Sequence, residues 1–264
     1  MMVISSSRFL RLLLVLVLLP AATFSQMPGS GSIDSALRSG QYDQALALIQ
    51  AALRQSPKDA KLLTLEGIAL SRIGKKQQAL RAYEQALEIS PQNLAALEGA
   101  AELEYAAKSK RAIPLLNRIL GLQPNNETTH AMLAVMAYQQ HDCTTAVRHF
   151  HESESAITAQ PAALRAYGSC LMQLQRAGEA IPIFQMLARM APNDSHARYN
   201  LAVVQLTANQ GKEAVDTLQP LLASDAPDAD VLDLASEAYE NLGDTPHAVE
   251  RLRQAILANP GRAK

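Results

Sequence analysis

The chain has no tryptophan, and aromatic residues make up only 4% of its 264 positions. Ala and Leu carry its apolar content instead, which favours helices. Two cysteines are too few for a disulfide-dense scaffold. A formal charge of −1 gives no case for nucleic acid, which needs a basic face to neutralise phosphates. No long run alternates Val, Ile and Thr with polar residues, so strands are not expected. The catalytic signatures are missing too: no HExxH, no G-x-S-x-G, no Walker loop and no G-x-G-x-x-G. We expect no enzyme, no cofactor and no metal.

What is present is alanine and leucine, the best helix formers, in a chain that is 48% hydrophobic. The N-terminus stands apart. Arg8 and Arg11 precede the apolar run Leu12–Leu19, then Pro20 and the small residues Ala21 to Ser25. Basic, apolar and small segments in that order read as a secretory signal peptide, residues 1–25, cleaved after Ser25 or, as an alternative, after Ala22. The run is shorter than the ~20 residues of a spanning helix, so no membrane attachment is expected after cleavage. Loss of Arg8 and Arg11 takes the charge from −1 to −3. The mature protein is expected in a periplasm or outside the cell.

Beyond the signal, one pattern recurs. Alanine falls at Ala45, Ala79, Ala112, Ala146, Ala180, Ala214 and Ala248, spaced 34, 33, 34, 34, 34 and 34. Four residues on lie Ile49, Tyr83, Leu116, Phe150, Phe184, Leu218 and Leu252. Twelve before lie Ile33, Gly67, Ala100, Ala134, Gly168, Ala202 and Ser236. Twelve after come Pro57, Pro91, Pro124, Pro192 and Pro260, with Pro227 one place late. Offsets of four keep side chains on one helix face, small residues let two helices approach, and proline ends the second helix. Gly40, Gly74 and Gly243 sit five before the alanine, where the chain must turn.

This pattern resembles the tetratricopeptide repeat family, whose unit of 34 residues is a helix–turn–helix. The resemblance covers about residues 26–262, in units near 26–59, 60–92, 93–126, 127–160, 161–194, 195–228 and 229–262. It implies an all-α, right-handed superhelical solenoid of about seven repeats, binding another protein or peptide. The first helix of unit one is expected over Ile33–Arg38, capped by Ser32. Unit four has the weakest boundary, with Thr158 where the proline belongs and Ser153 in the packing column. Pro220 is expected to kink its helix. Val249 and Ile256 lie on a face that a further unit would cover, a surface for a second copy or a partner.

In this family ligands are gripped by first-helix side chains on the concave face. That register implies Lys61, Thr64, Ile68 and Arg72, then Leu94, Leu97 and Ala101, then Ala131, Met132, Val135 and Tyr138. Arg165, Ser169, Met172, Tyr199, Asn200 and Val203 follow, and Asp230, Asp233, Glu237 and Glu240 end it. The favoured contacts are Met132, Val135, Tyr138, Arg165, Met172, Tyr199, Asn200 and Val203, an apolar trough with two polar anchors. The family's carboxylate clamp is not matched: its basic and Asn positions hold mostly Thr, Ile, Leu, Glu and Ala. His130, His141, His149 and His151 are expected to be scattered in solvent rather than to converge on a metal. Cys143 and Cys170 fall toward the same end of two antiparallel helices. They form either a disulfide or two buried thiols.

Overall fold

The computed structural model describes residues 30–259, and these are all helix and turn, with no strand among them. The signal segment 1–25 lies outside the described residues. Among the described residues, no helix is long and apolar enough to cross a membrane. First helices are α1 (Ser30–Arg38), α3 (Ala60–Arg72), α5 (Leu94–Ala106), α7 (Glu127–Gln139), α10 (Pro161–Gln173), α12 (Ser195–Thr207) and α14 (Ala229–Asn241). Second helices are α2 (Tyr42–Gln55), α4 (Lys76–Ile89), α6 (Ala112–Leu122), α8 (Cys143–His151), α11 (Ala177–Met190), α13 (Gly211–Leu222) and α15 (Thr245–Ala258). One short helix, α9 (Glu154–Ile157), follows α8. Each first helix packs on its own second helix, and first helices also touch at three of the joins between units: α3 on α5, α7 on α10, α12 on α14. This is a solenoid.

Six first helices, from α3 on, are each 13 residues long. Their starts are fixed by side chains. Asp59, Asn93, Asn126, Asp194 and Asp228 each accept a hydrogen bond from a backbone N–H of the first turn. Such a cap contributes about 1 kcal/mol. In α10, Pro161 opens the helix instead; its missing N–H is one the first turn would leave unbonded anyway.

Turns inside the units share one backbone shape. Gly40, Gly74 and Gly243 take φ of 73°, 81° and 73°, where glycine is at ease. Lys108, His141, Gln175 and Asn209 hold the same left-handed geometry at 54°, 61°, 60° and 60°. The position recurs every 34 residues, except from Lys108 to His141. The one residue missing from the period therefore lies between Lys108 and Ala112, in the turn of unit three.

The seven alanines that open the second helices are all 0 or 1% exposed. Beside them Ile49, Tyr83, Leu116, Phe150 and Leu218 are buried, while Phe184 is half-buried and Leu252, on the last helix, is 45% exposed. A Cβ on Gly67 or Gly99 would lie 2.5 or 2.3 Å from the Tyr83 ring, so two glycines from adjacent units clamp that ring. Gly168 makes the same room for Phe184. The core runs as three buried clusters, with α7 contributing Leu133 and Met136 to the first and Ala131, Ala134 and Ala137 to the second.

Two expectations need correction. Helix α1 begins at Ser30, not Ile33, and Ser32 lies inside it rather than capping it. Gly31 is tolerated there because the first turn carries unpaired N–H groups in any case. In α5, the small residue packed in register with Gly67 and Ala134 is Ala101, eighth in its helix, not Ala100, because the lost residue follows Lys108. Pro220 stands inside α13, third from its end at Leu222.

Unit four departs most. Helix α8 has nine residues where α4, α11 and α15 have 14. Ser153 is fully buried and donates its hydroxyl to the Phe150 carbonyl at 3.1 Å, ending the helix there. A disulfide joins Cys143 of α8 to Cys170 of α10, with Cα atoms 4.9 Å apart.

Candidate functional site

Equal helix lengths let corresponding positions of the first helices be compared directly. Fifth in α3, α5, α7, α10, α12 and α14 stand Thr64, Glu98, Ala131, Arg165, Tyr199 and Asp233. Ninth stand Ile68, Glu102, Val135, Ser169, Val203 and Glu237. Residues four apart share a face, so the two rows form one stripe across the units.

The eight favoured contacts stand as follows. Met132, Val135, Met172, Tyr199 and Val203 are half-buried, and Tyr138, Arg165 and Asn200 are exposed. Met132 leans on the first core cluster, Val135 and Met172 on the second, Tyr199 and Val203 on the third. Their inner atoms are held by packing while their outer atoms meet solvent. Arg165 forms no ion pair among the described residues, and its guanidinium is free to meet a ligand. Tyr199 also edges a cavity of about 380 Å³ with His196, Leu221 and Val231, between α12, α13 and α14.

Other expected groove residues are not on the surface. Leu97 and Ala101 are 0 and 1% exposed, and Ala131 is 9%. Thr64 is buried, donating to the Ala60 carbonyl and accepting from Asn93 Nδ2 at 2.8 Å. In unit three the exposed residues are instead Glu98 and Glu102. The displaced register of α5 hid them; counting from the cap residue Asn93 rather than back from Ala112 would have found them. Glu102 lies near Tyr83, whose hydroxyl is pushed up to about 12, chiefly by burial and then by that carboxylate.

The histidines divide. His130 and His149 are buried, each 9% exposed, with Nδ1 atoms 2.9 Å apart and ring centroids 5.1 Å apart. They are not in solvent as expected. The spacing of His130 and His149 across two antiparallel helices brings the rings together, which no single-helix pattern reveals. His130 Nε2 donates to the Pro124 carbonyl at 2.9 Å. With His130 neutral, its Nδ1 then accepts from the Nδ1–H of His149. Burial, then the charge of Arg148, holds His149 down to about 4. His151 is exposed and faces Glu154. Among the described residues, no three His, Cys, Asp or Glu side chains gather as metal ligands do.

Comparison with known proteins agrees with this geometry. Models of the tetratricopeptide repeat match residues 32–93, 64–127 and 131–195, and a second such model matches 171–238. BBSome complex member BBS4 of Bos taurus is 25% identical over 82% of this chain and 42% of its own length. Tetratricopeptide repeat protein 8 of Caenorhabditis elegans is 24% identical over 83% of this chain and 42% of its own. The chain thus spans about two-fifths of the length of these relatives. A tetratricopeptide repeat protein from Parabacteroides merdae superposes with a TM-score of 0.52 at 19% identity, covering 87% of this chain and 91% of that one. A structure of Naa15/Naa10 bound to HypK-THB gives 0.57 at 18%, covering 87% and 36%. Both share the fold.

Proposed function

Because the chain belongs to the tetratricopeptide repeat family, whose members are protein-interaction scaffolds, we propose that it is a non-catalytic adaptor gripping a peptide segment or protein surface on its concave face. The observation that carries this reading is the group of half-buried Met132, Val135, Met172, Tyr199 and Val203 on successive first helices, beside an exposed Arg165 that forms no ion pair among the described residues. Side chains that are half-packed lose little further entropy on contact, and methionine and tyrosine adapt to irregular surfaces. The test is capture of partners by the purified chain beside a Tyr199→Ala/Arg165→Ala variant. Partners lost with the variant support the groove; partners kept reject it.

The adaptor works after export, in a bacterial periplasm or outside the cell. The basic–apolar–small order of residues 1–25 supports this, as does the disulfide, since such bonds persist in oxidising compartments. N-terminal sequencing of the chain from fractionated cells tests it: an intact Met1 in the cytoplasmic fraction would reject export.

A second reading has its own observation. Val249, Leu252, Ile256 and Leu257 of α15 are 42, 45, 39 and 79% exposed. This face would serve an accessory subunit docked by its end, or a second copy. Val249→Lys/Ile256→Lys with unchanged sedimentation and unchanged partner capture would reject it.

A further inference from the structure

The stripe has an alternating charge pattern. Reading fifth and ninth positions from unit three to unit seven gives Glu98 with Glu102, then Ala131 with Val135, then Arg165 with Ser169, then Tyr199 with Val203, then Asp233 with Glu237. Acid, apolar, base, apolar, acid follow one another, one unit at a time. Glu98, Glu102, Arg165 and Glu237 are exposed, so each is available to a ligand. Asp233 has a partner within the chain and is not needed for the argument.

From this pattern, and resting on the groove reading above, we infer that the preferred partner is an extended segment with an acidic residue at its centre, apolar residues on either side and a basic residue beyond each. Helix axes in contact, as at α7–α10 and α12–α14, lie about 10 Å apart, and a segment in the polyproline II form advances about 3.1 Å per residue with three residues per turn, so that every third side chain shares a face. One unit therefore matches about three ligand residues. The central carboxylate meets Arg165 in a charge-assisted, two-pronged hydrogen bond. About three residues away on each side, apolar side chains lie against Val135 and against Tyr199 with Val203. About three further on, lysine or arginine reaches Glu102 at one end and Glu237 at the other. Like charges set against each other penalise the opposite pattern, so the stripe selects as well as attracts.

The experiment uses fluorescent peptides of about 15 residues, serine except at every third position. The matched probe carries Lys, Leu, Glu, Leu, Lys; the swapped probe carries Glu, Leu, Lys, Leu, Glu; an uncharged probe keeps only the two leucines. By anisotropy, the matched probe should bind at least about tenfold tighter than the swapped one, with the gap closing as salt rises. The triple variant Glu102→Lys/Arg165→Glu/Glu237→Lys should reverse the ranking, with its helical circular dichroism unchanged. Equal binding of the two charged probes, absent binding of the matched probe, or a ranking untouched by the triple variant would overturn the inference. If that happens while the uncharged probe still binds and is weakened by Tyr199→Ala, the groove reading stands without the charge pattern. If no probe binds and partner capture ignores Tyr199→Ala/Arg165→Ala, the groove reading falls as well.

Discussion

Units two and four have the same backbone plan and are held together by different means. In unit two the joint is steric: Tyr83 fills the space that Gly67 and Gly99 leave open. In unit four the second helix is cut short, Ser153 sits in the packing column, and the proline stop is gone. There the joint is covalent and polar, through Cys143–Cys170 and the His130–His149 pair. Close apolar packing depends on shape alone; the substitutes depend on redox state and pH. The solenoid therefore has a joint that ignores its surroundings and a joint that does not.

The largest effect should come from breaking the steric joint. Tyr83→Ala removes a buried ring and is expected to cost about 3–5 kcal/mol, read as a drop in the midpoint of urea unfolding. Gly99→Ala should damage the same joint from the other side, and Tyr83→Leu beside it should recover part of the loss. Next, Cys143→Ala/Cys170→Ala should cost roughly 3 kcal/mol, because the bond restricts the unfolded chain. Reductant should lower the stability of the natural chain by a similar amount and leave the double variant unmoved. Free thiols on both cysteines in mass spectrometry of unreduced protein would remove the covalent half of the comparison.

Mild acid should weaken unit four through its buried histidine pair. His149 is held down to about 4 from an ordinary 6.5, so folding favours its neutral form. That contribution is fully present above pH ~6.5 and is lost as the pH falls toward 4. About 2 kcal/mol should disappear between pH 7 and pH 5, and His149→Leu should flatten this slope. The smallest effect should come from Arg176 and Glu179, an exposed pair in the turn of unit five. Arg176→Ala is expected to leave the urea midpoint nearly unchanged, because an exposed ion pair gains little over its solvated partners.

Much of this was legible in the sequence, for a physical reason. Helix pairing needs small residues at fixed intervals, so Ala45 to Ala248 stand out as a period, and glycine marks three of the seven turns. The other four turns hold Lys108, His141, Gln175 and Asn209 in the same left-handed shape, and nothing about those residue types announces it. The missing residue was visible as a gap of 33, but not its place, and this error turned Leu97 and Ala101 outward and hid Glu98 and Glu102. Met132, Val135 and Tyr199 were reached through the groove register that the family resemblance implies, and their half-burial is visible only in the structure. The His130–His149 contact depends on two helices meeting at a particular height, which a one-dimensional pattern does not contain.

The recurring left-handed turn has a consequence for how such a chain changes over generations. Seven turns accept glycine, lysine, histidine, glutamine or asparagine without altering the path of the backbone. A genetic exchange that cuts and rejoins the reading frame at any two of them returns the chain to the same geometry, whatever residue is left at the junction. Copy number can therefore drift by whole periods while first and second helices keep alternating, so the length of the scaffold evolves separately from the lettering of its stripe.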